Sequence, residues 1–154
     1  MKSEAECFSY DDLATALDKT TCWDGVRNFE ARNMMRDLMK KGDLVLYYHS
    51  KGNPPGVAGV AKIVRDGYPD STAFDKKDRH FDAKSDPAKP TWYMVDVKAV
   101  KKFKNFVSIN DLRSHPLLQN MALFKRNRLS VTAVTPEEFD EVCNLGDGHT
   151  TKAK

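Results

Sequence analysis

The chain has 154 residues, 40% of them hydrophobic and 31% charged, with a formal net charge of +3. That length fits one domain with a real core, and the balance of residues excludes a disordered chain. The longest apolar runs, such as residues 44–48, are too short to cross a bilayer.

No apolar stretch follows Met1, so no signal peptide is expected. Three cysteines (Cys7, Cys22, Cys143) at unpatterned spacing argue for a reducing compartment rather than a disulfide framework. The four histidines are scattered, without the i,i+4 spacing of metal ligands, so neither metal nor cofactor is expected.

In chain order, residues 9–18 read as a helix capped by Ser9 with Asp12 reaching back, and Leu13 and Leu17 share one buried face. Residues 20–27 follow neither helical nor alternating periodicity, and Gly25 marks a turn with close backbone approach. Asn28 is an N-cap for a second helix to about Met39, which Gly42 and Asp43 end. Residues 44–48 are a strand whose continuous apolar character suits burial on both faces.

A Gly, Asn and Pro-rich loop leads to a second strand over residues 56–64, with Gly56 and Gly59 marking a bend or bulge. Residues 67–91 form a long irregular stretch, and loops of that length inside a domain are usually functional or mobile. Residues 92–100 return to strand. Ser108 and Asp111 repeat the capping box before a short helix that stops ahead of Pro116. Helical turns over residues 117–123 and a short strand at 129–131 come next. Thr135, Pro136 and Glu138 start the last helix, with Phe139, Val142 and Cys143 as its apolar stripe, and residues 146–154 read as a flexible tail. Strands interleaved with short capped helices predict a mixed α+β domain with a curled sheet.

The positive charge clusters at Lys98, Lys101, Lys102 and Lys104 and at Lys125, Arg126 and Arg128. Both clusters fit either a polyanion partner or an ordinary solvated surface.

The run Trp23-Asp24-Gly25-Val26-Arg27-Asn28 with Ala31-Arg32-Asn33, together with Tyr48-His49-Ser50 and Arg128-Leu129-Ser130-Val131, resembles the EVE domain family of the PUA-like superfamily. The likeness spans residues 2–145. Two departures stand out: Ala5 occupies a position where the family usually has proline, and members carry apolar residues before the Lys-Ser-Glu motif. Part of the first strand is therefore expected to be missing or supplied differently. The resemblance implies a PUA-like mixed β-barrel with short helices around it, over residues 1–145. It also implies a monomeric, non-enzymatic module that takes one base into a pocket, with modified cytosine in DNA favoured. RNA binding (tRNA or rRNA) and small-molecule sensing are the alternatives. The expected compartment is a bacterial cytoplasm, or the nucleus in a eukaryote.

Such a pocket needs apolar walls, polar groups for a base edge and cations for phosphates. On that expectation Ser3, Glu4, Trp23, Asn28, Asn33, His49, Ser50 and Tyr68 are pocket candidates. Arg27, Arg32, Arg126 and Arg128 are the candidates for phosphate. Each also has a structural reading. Trp23 fits a core position, Asn28 an N-cap, and Arg27 and Arg32 internal ion pairs. Glu4 fits an anchor for one of those arginines, or an acceptor for a cytosine amino group. His49 and Ser50 suit ligand contact or loop-fixing hydrogen bonds. They do not suit hydrolysis, because neighbours in a strand face opposite ways. Tyr68 either closes the pocket or packs its turn.

Overall fold

The computed structural model describes residues 1–4, 6–126 and 128–148. Five strands form one mixed sheet: β1 (Lys2–Ser3), β2 (Thr20–Cys22), β3 (Leu44–His49), β4 (Gly56–Pro69) and β5 (Tyr93–Ser108). Their order is β1-β3-β4-β5-β2, with β1 parallel to β3 and every other pairing antiparallel. The two edge strands are only two and three residues long and do not pair with each other, so the sheet stays open rather than closing into the expected barrel.

The expected burial of β3 on both faces is what forms. Val45 and Tyr47 belong to one apolar cluster with Tyr10, Leu13, Trp23 and Met35, while Leu46 and Tyr48 belong to a second with Phe103, Leu112 and Val142. Side chains alternate across a strand, so a continuous apolar run feeds two layers. On the first face, Tyr10 stands edge-on to Tyr47 with ring centroids 5.5 Å apart, and its hydroxyl donates to the Val60 carbonyl at 2.9 Å. Gly59 makes this possible, because a Cβ there would come within 2.9 Å of the Tyr10 ring and 2.5 Å of the Lys101 carbonyl oxygen. The strand register shifts beside it, between Val57 and Gly59, as a bulge requires.

The helices are short, and four of the five described begin at a side-chain cap. They are α1 (Tyr10–Thr15), α2 (Phe29–Asn33), α3 (Ile109–Ser114), α4 (Ala122–Lys125) and α5 (Pro136–Gly146). Capping boxes at Ser9, Ser108 and Thr135 open α1, α3 and α5. Asn28 caps α2 by accepting from the Ala31 amide at 3.0 Å, and α2 runs on into a π-type segment, Met34–Leu38.

Several expectations fail for local reasons. Leu17 is 94% exposed and shares no face with the buried Leu13. The helix stops at Thr15, Ala16 is extended, and Asp18 and Lys19 take positive φ of 54° and 53°. β4 and β5 outrun their predicted ends, because Tyr68 and Pro69 pair with Met94 and Tyr93, and Val57 pairs with Val107. No strand forms at residues 129–131; there Lys2 N–H donates to the Ser130 carbonyl at 2.8 Å. α5 passes residue 145 and ends at Gly146, with Asp147 as its C-cap. Residues 149–154 of the expected tail lie outside the described residues.

Candidate functional site

Past Cys22, β2 continues by one backbone hydrogen bond, from Trp23 N–H to the Val95 carbonyl at 2.7 Å. The chain then turns through Gly25 at φ +78° and enters α2 from Asn28. This turn, the end of β1 and the loop around Arg79 and His80 enclose a cleft of about 850 Å³. That falls within the range of cavities that hold small organic groups.

Trp23 is both core and wall. Only 9% exposed, it packs edge-on against Tyr47 at 5.4 Å, yet it lines the cleft. Gly25 sits against His80, where an added Cβ would come within 2.5 Å of the imidazole. Gly25→Ala therefore combines a left-handed backbone with a collision. We expect it to cost about 2–3 kcal/mol, read by urea titration, of which about 1–2 is conformational. An alanine variant as stable as the parent would show that the His80 ring simply swings away.

The turn is fastened by Asp70, the buried acid that opens the 3₁₀ turn Ser71–Phe74. Its Oδ2 accepts from the Gly25 amide at 2.8 Å and from Arg27 at 3.0 Å. Its Oδ1 accepts from the Thr72 amide at 2.9 Å and the Thr72 hydroxyl at 2.6 Å. Burial disfavours its charge, but these donors outweigh that and hold the carboxyl below the usual range.

Arg27 is used up in the same fastening. Its guanidinium donates to Asp70, to the Thr72 hydroxyl, to the Val26 carbonyl and twice to the His80 carbonyl. All five N–H donors of a guanidinium are thereby engaged, so Arg27 positions the turn and has none left for a phosphate. It is the internal ion pair, although its acid is Asp70 and not Glu4.

Of the other expected residues, Ser3, Glu4, Asn28 and Arg128 line the cleft with Trp23. Ser3 donates to the Phe8 carbonyl at 2.7 Å. Both Glu4 oxygens are occupied, one by Lys51 at 2.9 Å and one by the Cys7 thiol at 3.5 Å, and the lysine holds its carboxyl below the usual range. Asn28 spends its carbonyl on the helix cap. Arg128 is exposed and makes no ion pair with any described residue.

The remaining candidates lie elsewhere. His49 Nε2 accepts from the Tyr10 amide at 3.1 Å and pins the start of α1, with burial keeping the imidazole below its usual range. The Ser50 amide donates to the Ser3 carbonyl at 2.9 Å, closing β1 against β3. Tyr68 bonds Asp96 on β5 and lies under the Arg65 guanidinium. Asn33 accepts from Arg32 at 3.0 Å, while Arg32 donates to the Thr91 carbonyl at 2.8 Å and covers Phe29. Arg126 is paired to Glu30. Along β5, Lys98, Lys101 and Lys102 each face an aspartate: Asp18, Asp147 and Asp11.

Sequence reasoning missed Arg79, His80 and Asp24, all in the cleft wall. The first two belong to a loop laced by its own aspartates. Asp75, Asp78, Asp82 and Asp86 each accept the amide two residues on, at 2.8–3.0 Å. That repeat of short aspartate turns was the available signal. Carboxylates turned onto the backbone leave Arg79 exposed, without an ion pair to any described residue. A second groove, of about 710 Å³, runs beside Leu38, Leu44, Val134 and Phe139. It is mainly apolar, with Lys2, Asp43 and Asp140 as its charged lining residues.

A family model described as the EVE domain matches residues 1–145. The chain belongs to the EVE domain family. Among curated relatives, thymocyte nuclear protein 1 of Homo sapiens is 44% identical over 162 residues, covering 94% of this chain and 72% of that protein. Its Gallus gallus counterpart is also 44% identical, but this chain spans only 60% of its length. Among solved structures, a hypothetical protein from Leishmania major superposes with a TM-score of 0.91 at 47% identity, over 96% of this chain and 92% of that one. Human THYN1 protein, crystallised in complex with 5-methylcytosine-containing DNA, gives 0.91 at 43% identity over 96% and 95%. The EVE domain here is thus a mixed sheet with short helices of the PUA-like kind, and no helix among its described residues is long and apolar enough to cross a membrane.

Proposed function

We propose that this EVE domain binds DNA by admitting a single 5-methylcytosine into the cleft beside Trp23. The observation that carries the reading is the cleft itself, which combines an indole wall, a tight glycine turn, and Arg79 and Arg128, which make no ion pair with a described residue. A base removed from its stack needs a flat apolar surface and a few polar groups for its edge, and its flanking phosphates need cations. The likeness to human THYN1 protein in complex with 5-methylcytosine-containing DNA supports the choice of ligand.

Arg79 and Arg128 are the phosphate contacts in this reading, in place of Arg27 and Arg126, whose guanidinium groups are engaged within the protein. Arg79→Ala and Arg128→Ala should each weaken binding across sequences alike and lower the slope of log affinity against log salt by about 0.9. A slope unchanged in both variants would take the strand away from this rim.

The direct test is a titration with matched duplexes bearing cytosine or 5-methylcytosine at one position, at low and high salt, with the corresponding RNA as a third arm. Salt-dependent binding with the methylated duplex favoured is expected. Equal affinity for both duplexes at each salt concentration overturns the reading, and a preference for RNA moves the partner to RNA.

A further inference from the structure

Three carboxylates surround the turn that forms the cleft wall, and they differ in what they have left to offer. Asp70 is buried, with four donors on its two oxygens. Glu4 has one oxygen on Lys51 and the other on Cys7. Asp24, between the Trp23 wall and Gly25, lines the cleft, is exposed, and accepts no hydrogen bond from a described residue.

We propose that Asp24 reads the Watson–Crick edge of the captured base, its carboxyl accepting from the exocyclic amino group of cytosine. This deepens the base-pocket reading and rests on it. A carboxylate accepting from cytosine N4 is an established mode of base discrimination. Thymine carries the same 5-methyl group but presents O4 there, an acceptor facing an acceptor. Methyl recognition and edge recognition are therefore separate tasks, and a wall of Trp23 alone cannot perform the second.

Burial of part of the Asp24 carboxyl and the like charge of Asp70 raise its pKa. Asp78 adds to this, while His80 and Arg27 oppose it. A base seated over the group removes more water and pushes the same way. The hydrogen bond from N4 favours the ionised, acceptor-only form, and it is this form that meets thymine O4 with no donor.

The test compares the parent with Asp24→Ala and Asp24→Asn on duplexes carrying 5-methylcytosine or thymine at one position, opposite an abasic site so that extruding either base breaks no pair. The parent should favour 5-methylcytosine by about ten- to a hundredfold, and Asp24→Ala should lose that preference. Asp24→Asn should lose most of it too, because an amide can turn to give its NH₂ to thymine O4 while its carbonyl accepts from thymine N3–H. Melting temperature and affinity for unmodified duplex serve as folding controls. If either variant discriminates as well as the parent, the assignment to Asp24 is overturned. If the parent binds neither duplex above background, the base-pocket reading fails first.

Discussion

Replacing Asp70 with asparagine should lower the melting temperature by about 10 °C, the equivalent of about 3 kcal/mol in a domain of this size. The amide preserves shape, yet whichever way it is turned, its NH₂ faces donors. In one orientation those are the Gly25 amide and Arg27; in the other, the Thr72 amide, where only the Thr72 hydroxyl can turn to accept. The Arg27 side chain, 23% exposed, would be left without its countercharge. Breaking a buried pair in this way costs more than the pair contributed, since the surviving charge stays desolvated. Acid titration supplies the matching signature. The Asp70 carboxyl is depressed below 3.8, so its contribution is complete above the unfolded value and is lost as pH falls through the lower folded one. Parent and variant should therefore converge in stability only below about pH 4, where unfolded aspartate begins to titrate. A variant melting within a degree or two of the parent at neutral pH would mean that water replaces the carboxylate.

Trp23→Ala should be as damaging, at about 3–5 kcal/mol in denaturant, because it empties a position packed on Tyr47 and joined to Val26, Met35 and Val95 in one apolar cluster. That result alone cannot separate wall from core. Trp23→Leu can, because leucine refills much of the volume and removes the flat surface. At temperatures where this variant is fully folded, its affinity for methylated duplex should fall at least about fivefold, since stacking a base on an aromatic ring contributes about 1–3 kcal/mol. Unchanged affinity in a folded Trp23→Leu protein would place the base elsewhere.

The contrast between these residues explains what a sequence can disclose. Capping boxes at Ser9, Ser108 and Thr135 were legible, since donor and acceptor lie three residues apart. So was the double burial of β3, carried by a continuous apolar run. The role of Arg27 was not, because its acceptors lie 43 to 53 residues away, apart from the Val26 carbonyl. For His49 the fixing hydrogen bond was among the readings, but its partner, a backbone amide 39 residues earlier, was not legible. The far halves of β4 and β5 were hidden because exposed residues such as Arg65, Asp66, Lys101 and Lys102 interrupt the apolar pattern there. Asp24 lay inside the most recognisable motif of the chain. Nothing local distinguished it from Glu4 until the ion pair to Lys51 removed that competitor.

The aspartates facing Lys98, Lys101 and Lys102 bear on how a polyanion arrives. A formal excess of +3 is too small to attract a duplex from every direction. With these three ammonium groups locally neutralised, Arg79 and Arg128 are among the cations left without an ion pair to a described residue, and their place at the cleft should orient encounters before contact. Association should then slow steeply with ionic strength even though the molecule as a whole is nearly balanced, and substituting Asp11 or Asp147 would raise the encounter rate while scattering its direction.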